Sequence, residues 1–405
     1  MAEAPLILML VGLAAYTILG GADFGAGFWE LLARGRRNAE LRDHTHRALA
    51  PVWEANHVWL IFVLVMCWTA YPEAFASIVT TLTIPFFLAG VGIILRGASY
   101  ALRSGVDSPH EEGGLSLVFA LSSIVAPFAL GTMVGAIAAG EVPVGNAVGE
   151  PVDSWVNPTA LTIGVLAVAT SAYVAAVYLA GDARRMGATE MAEAFRRRAL
   201  VAGVVAGGIA LGALLVVRAE VRPLFDDLTG GAGGAAVRAS VVAGVATLAL
   251  VAARRFEPAR YSAGAAVAAI IAGWGIAQQP RFLPGLTIEE AAASDATIVA
   301  VLIGFAVGLL LLVPSLAYLF RLVLTGRFDP AAPLRPSEHE GPPAAAERAR
   351  GRPLPYPSAT VAAAVTAVGA AVTFAFDDLI RGAGVAAMLA GAVALFMALG
   401  TLDEP

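Results

Sequence analysis

The chain has 405 residues, of which 58% are hydrophobic and only 14% charged, and its mean hydropathy is +0.76. Soluble domains carry about 25% charged residues, so this composition excludes a water-soluble fold. The net charge is -5 and no segment forms a basic domain, which argues against nucleic acid as a partner. The single cysteine, Cys67, excludes an internal disulfide and lies in an apolar run, where we interpret it as a buried small side chain.

Apolar stretches long enough to cross a bilayer recur along the whole chain. A helix needs about 20 apolar residues to span roughly 30 Å of hydrocarbon. The first stretch follows Met-Ala-Glu-Ala-Pro, which has no basic residue, so we interpret it as a retained helix and not a signal peptide. The pattern predicts an all-α, polytopic transmembrane protein with spans at 5–31, 53–71, 77–98, 115–139, 158–180, 199–217, 237–253, 261–277, 295–320, 358–376 and 382–400.

The placement of the arginines predicts how these spans are oriented. Every basic residue is an arginine, and 21 of the 26 fall on one side when the segment after the first span is taken as cytoplasmic. Cytoplasmic loops carry an excess of basic residues. We therefore expect the N-terminus outside and the C-terminus inside.

A proline-rich stretch divides the chain. Seven prolines lie between 330 and 355, among many Ala and Arg residues. Such a composition does not pack a core and is typical of a linker. The sequence thus predicts a transmembrane domain over 1–327, a cytoplasmic linker over 328–357 and a C-terminal transmembrane hairpin over 358–405.

Ionisable residues inside the predicted spans are the candidate functional residues, because a charge in lipid is costly. Asp23 lies in the cytoplasmic half of the first span, Glu54 and His57 open the second, and Arg96 ends the third. A spacing of three places Glu54 and His57 on one helix face. All four groups are expected at a similar depth.

Two interpretations of this group remain open. A carboxylate in a low-dielectric site has a raised proton affinity, so Glu54, Asp23 and His57 would form a proton path from the cytoplasm. Alternatively, Arg96 pairs with Asp23 or Glu54, and a structural network fixes three helix ends. The other members of that network would be Asn56, Trp53 and Trp59.

Metal and haem binding by this chain are not predicted. Glu54 and His57 supply two possible ligands, but no second Glu-x-x-His accompanies them, which leaves a di-iron site unsupported. His57 is the one histidine in a predicted span. The others, which fall in predicted cytoplasmic loops, are His44, His46, His110 and His339.

Three motifs carry a resemblance to a known family. They are Gly20 to Gly27 (Gly-Gly-Ala-Asp-Phe-Gly-Ala-Gly), Pro51 to Trp59 (Pro-Val-Trp-Glu-Ala-Asn-His-Val-Trp), and residues 273–292 with Gln278-Gln279-Pro280 and Glu289-Glu290. In this order they resemble subunit II of the cytochrome bd-type quinol oxidases, over roughly residues 5–325. The family's usual Asp-Gly pair in the second motif is Glu54-Ala55 here.

The resemblance implies nine core helices in two four-helix bundles plus one, extended here by two C-terminal helices. It implies a subunit of a bacterial inner-membrane complex that oxidises quinol and reduces oxygen to water. Haem b and haem d would be held by a partner subunit I, and a small accessory subunit is a further candidate partner. A secondary transporter, with Asp23, Glu54 and Arg96 binding substrate or a coupling ion, and a purely structural subunit are the alternatives.

Overall fold

The computed structural model describes residues 1–32, 53–102 and 109–324. By contacts the chain divides into a unit over Met1–Pro314 and a second over Ser315–Pro405. The predicted linker and C-terminal hairpin lie outside the described residues. The described elements are α1 (Glu3–Leu32), α2 (Trp53–Ala70), α3 (Pro72–Thr81), α4 (Thr83–Leu102), α5 (Pro109–Ala139), α6 (Pro158–Arg185), α7 (Thr189–Glu220), α8 (Arg222–Thr229), α9 (Gly231–Ala252), α10 (Phe256–Gln278), β1 (Arg281–Leu283), β2 (Leu286–Thr287), α11 (Ile288–Ala291) and α12 (Asp295–Leu324).

The long helices pack as two groups of four. In the first group α1 packs against α2 and α5, and α5 packs against α4; in the second, α6 packs against α7 and α10, and α9 packs against the same two helices. Helix α1 also packs against α6 and α10, which joins the groups. Helix α12 reaches the first group through the rings of Phe62 and Phe305, whose centroids are 5.4 Å apart.

Seven of the described helices are long and apolar enough to cross a membrane, and Asn56–Ala70 and Asp295–Leu311 are shorter apolar helices. Together they correspond to the first nine predicted spans. The prediction of an all-α, polytopic membrane protein is therefore confirmed. The apolar interior is built largely from alanine and valine, and it includes the free thiol of Cys67, which is buried as expected.

The third predicted span is wrong at its start. The structure breaks the predicted 77–98 helix at Leu82, which separates α3 from α4. Helix α3 begins with a proline directly after Tyr71, a position where proline's missing N–H costs nothing. The hydroxyl of Thr83 donates to the carbonyls of Val79 and Thr80, and such bonds compete with the regular helix at this point.

The motif over 273–292 forms the end of α10, a short β-hairpin and the one-turn helix α11. Strands β1 and β2 pair antiparallel, and the Thr287 hydroxyl and Glu290 carboxylate form a capping box that starts α11. The ring of Phe282 lies 4.8 Å from that of Tyr71, and the Ala293 N–H donates to the Ala70 carbonyl at 2.8 Å. The hairpin therefore fastens α10 to the end of α2.

Candidate functional site

The glycines of the first motif allow α1 to approach its neighbours closely. A Cβ atom at Gly25 would overlap the main-chain carbonyl of Ser171 on α6, and one at Gly27 would overlap the Ser123 side chain on α5. The indole N–H of Trp29 donates to the Ala172 carbonyl at 2.8 Å. Small residues serve this purpose in membrane helices, where close backbone contact supplies the packing energy. The tight crossing buries the segment that carries Asp23.

Asp23 lies in the interior with 1% of its surface exposed. Its Oδ2 accepts a hydrogen bond of 2.6 Å from Nδ2 of Asn56, which is itself buried on α2. The same amide lies 3.4 Å from the carbonyl oxygen of Leu19. A carboxylate in a dry environment needs such a donor, because burial without one is costly.

Arg96 is the largest fully buried side chain of the described chain. One terminal nitrogen donates to the main-chain carbonyl of Asp23 at 2.7 Å, and Nε donates to the Ser123 hydroxyl at 3.0 Å. Its guanidinium lies between the rings of Phe24 and Phe119, at 5.3 and 4.7 Å from their centroids. Ring faces attract a cation, so the charge is stabilised on both sides. Arg96 thus binds the backbone of α1 at Asp23; the predicted alternative, a pairing with Glu54, involves a side chain outside the described residues.

His57 lies beside this network on α2, half-buried. Its Nδ1 is 3.4 Å from the Tyr16 hydroxyl, and its ring centroid is 5.9 Å from those of Tyr16 and Phe24. Trp59 packs against the same aromatic group and lies 6.4 Å from Phe62. The structure therefore brings Asp23, Asn56, Arg96 and His57 together across α1, α2 and α4.

Two predicted site residues are not placed in detail. Glu54 and Trp53 lie in the first turn of α2, but their side chains fall outside what the structure describes. Their roles remain predictions.

Sequence reasoning missed three members of the site. Glu30 is buried on α1, with 5% of its surface exposed. It lies seven residues after Asp23 and so on the same helix face, and this spacing is visible in the sequence. Ser123 and Phe119 on α5 contact Arg96, and neither residue type is distinctive enough in an apolar helix to be found from the sequence.

Across residues 1–32, 53–102 and 109–324, no three His, Cys, Asp or Glu side chains converge as a metal-binding group. The contacts of His57 are with protein groups: its ring packs against Tyr16 and Phe24, and its Nδ1 lies 3.4 Å from the Tyr16 hydroxyl.

The arrangement is suited to holding a proton or a negative charge inside the membrane. The Asp23 carboxylate has one strong neutral donor, Asn56, and a cation close by on α4. Because Arg96 binds the main chain of Asp23, the carboxylate can gain or lose a proton while that hydrogen bond persists.

The fold and this site define a polytopic helical membrane protein with an ionisable network buried between three helices. The chain belongs to the cytochrome bd terminal oxidase subunit II family, whose sequence profile matches residues 1–323. This membership confirms the resemblance seen in the three sequence motifs.

Individual relatives share part of their length with this chain. A candidate cytochrome bd menaquinol oxidase subunit II of Bacillus subtilis is 23% identical over 219 residues, which are 53% of this chain and 61% of that protein. A cytochrome bd ubiquinol oxidase subunit 2 of the same organism is 29% identical over 128 residues, 31% of this chain and 37% of that one. The chain therefore matches less than two thirds of the length of these curated relatives.

A solved structure shares the fold over a longer range. A chain of the bd oxidase from Geobacillus thermodenitrificans superposes with a TM-score of 0.63 at 24% identity. The match covers 80% of this chain and 98% of that one.

Proposed function

We propose that this chain is the subunit II of a bd-type terminal oxidase that couples quinol oxidation to the reduction of oxygen to water. Family membership over residues 1–323 supports this proposal, and so does the fold shared with a bd oxidase chain. The complex would lie in a bacterial inner membrane. Its haem b and haem d would be carried by a partner subunit I, as the resemblance of the three sequence motifs implies.

The observation that carries the role of this chain is the hydrogen-bonded pair of Asp23 and Asn56 in a dry interior. Oxygen reduction consumes protons, and a route to a buried catalytic centre needs groups that can hold a proton within the membrane. Asp23 is such a group, and Glu30 lies two helical turns further along the same face of α1. Glu54 and His57, at the start of α2, complete the proposed path.

Arg96 has a different task in this proposal. Its bonds to the Asp23 carbonyl and the Ser123 hydroxyl join α1, α4 and α5, and its positive charge favours the ionised form of the neighbouring carboxylate. The backbone is fixed by one group and the proton carried by another. A proton carrier that is separate from the helix clamp can be neutralised without loss of the fold.

The test is Asp23→Asn in the intact complex, because asparagine keeps the shape and an acceptor oxygen but carries no exchangeable acid proton. We expect an assembled complex with an unchanged haem spectrum and a slowed rate of oxygen consumption. Glu54→Gln should slow turnover in the same way, and Glu54→Asp should be milder. The matched control is Glu220→Gln, since Glu220 accepts hydrogen bonds from Thr159 at the end of α7, far along the chain from the network.

Oxygen consumption at the normal rate in an assembled Asp23→Asn complex would contradict the proton path and favour a purely structural subunit. The absence of any haem-bearing partner in the complex purified from native membranes would contradict the oxidase itself and favour a transporter.

A further inference from the structure

A pocket of about 420 Å³ lies between the end of α6 and the turn that joins α9 to the start of α10. Four arginines line it, against a single carboxylate, that of Glu257. The arginines are Arg184, Arg185, Arg254 and Arg255. The pocket is separate from the Asp23 network and has no part in the proposed proton path.

Among the residues that the structure describes, two of the four arginines have no ion-pair partner. Arg185 pairs with Asp182 at 2.6 Å and reaches Glu257 at 3.5 Å, and Nε of Arg254 pairs with Glu193 at 3.2 Å. Within the described residues, Arg184 and Arg255 enter no ion pair. The guanidinium groups of Arg184 and Arg255 therefore contribute positive charge to the pocket, and a pocket with an excess of positive charge favours an anion.

The main chain adds to this charge. Arg255 is the N-cap residue of α10 and its side chain makes no capping hydrogen bond, so the N–H groups of Phe256 and Glu257 are not capped; the next residue, Pro258, has no N–H. Arg254 adopts a positive φ of 58°, at a helix end where glycine is the usual residue.

The position of the pocket at the ends of apolar helices suits a lipid headgroup. Helices α6 and α10 are both long and apolar enough to cross a membrane, and the end of α6 and the start of α10 line the pocket. One turn into α10, Tyr261 is 80% exposed, as is typical of the aromatic belt at a membrane surface. Basic pockets between the ends of transmembrane helices bind acidic headgroups.

We propose that this pocket binds a phosphate-bearing anion, and that its source is the headgroup of an anionic phospholipid. The phosphodiester would lie between the guanidinium groups of Arg184 and Arg255 and the start of α10. The acyl chains would extend along the apolar surface of the helices below.

The test uses the full chain, purified with the subunits that accompany it and freed of lipid. Phosphatidylglycerol is titrated and the bound lipid is counted by native mass spectrometry, with phosphatidylcholine and inorganic phosphate as separate arms. A basic residue near an anionic lipid surface is worth about fivefold in affinity, so the Arg184→Ala/Arg255→Ala double variant should bind phosphatidylglycerol roughly 30-fold more weakly. The control is Arg197→Ala, an exposed arginine of α7 that does not line the pocket, and it should change binding by less than about twofold.

Selective retention of phosphatidylglycerol that is lost in the double variant alone would support the proposal. Equal losses in the double variant and Arg197→Ala would overturn it, because binding would then reflect general surface charge. Displacement of the lipid by inorganic phosphate at a comparable concentration would also overturn it, in favour of a site for free phosphate.

Discussion

The close crossing of α1 and α6 makes Gly25→Ala the sharpest test of how the site is held. The new Cβ would overlap the main-chain carbonyl of Ser171 and approach the Cβ of Ala175 to 2.6 Å. A backbone atom cannot move aside by changing rotamer, so α1 and α6 must separate. Asp23 lies half a turn away on α1 and would move with it.

The neighbouring Gly21 provides the matched control for this substitution. A Cβ at Gly21 would lie 3.5 Å from the Ser171 hydroxyl, which is an ordinary contact. Both substitutions gain the same helix propensity, about 1 kcal/mol for Gly→Ala, so the difference between them isolates packing. Overpacking of an interior costs about 1–3 kcal/mol, and contact with backbone places Gly25→Ala towards the upper end.

The free energy of unfolding of the purified complex, followed by circular dichroism during denaturant titration, measures this difference. We expect Gly25→Ala to be less stable than Gly21→Ala by about 2 kcal/mol. Equal stabilities would show that α1 and α6 are not in backbone contact, and the account of the first motif as a close-packing surface would fail.

Three further predictions follow from other parts of the chain. Arg96→Lys keeps the charge but loses one of the two hydrogen bonds of the guanidinium, the bond to Ser123. It should reduce the free energy of unfolding by about 1.5–3 kcal/mol. An unchanged denaturation midpoint would contradict the role of the guanidinium. Hydrogen bonds from the Thr287 N–H and hydroxyl lower the pKa of Glu290 from its ordinary value of 4.5, so its stabilising effect is present above that pH and is lost as the pH falls through the folded-state pKa. The melting temperature of the unaltered complex should therefore exceed that of Glu290→Gln at neutral pH and converge with it in acid, whereas a constant gap would refute the assignment. Truncation after residue 327 should reduce assembly but leave oxygen consumption in the complex that remains, and an intact but inactive truncated complex would place the C-terminal hairpin in the mechanism.

Hydropathy predicted the long helices well because their placement is dominated by the cost of exposing apolar side chains to water or polar groups to lipid. It missed the break at Leu82, since a bend between two apolar helices does not change the hydropathy of the segment. The short helix α8 was missed too, because eight residues are too few to produce a membrane-spanning signal. The hairpin of β1 and β2 is likewise determined by turn and capping interactions, which a hydropathy window averages away.

The candidate site was predictable to the extent that its residues are costly in lipid. Asp23 and Arg96 stood out because a charge in an apolar stretch is rare. Their hydrogen-bond partners did not, since the choice between the carboxylate and the carbonyl of Asp23 depends on the rotation of α1 against α4. Ser123 is one serine among many, and only the fold places it beside the guanidinium.

The contacts around the hairpin of β1 and β2 imply an order of events during synthesis. The Tyr71 hydroxyl donates to the Ala2 carbonyl, and the Ala70 carbonyl accepts from the N–H of Ala293. Tyr71 and Ala2 are 69 residues apart, whereas Ala70 and Ala293 are separated by more than two hundred residues of chain, which enters the membrane from its N-terminal end. The Ala70 carbonyl must therefore be hydrated until the ribosome has delivered the segment after α10, and the outer surface closes only when most of the helices are already in the bilayer.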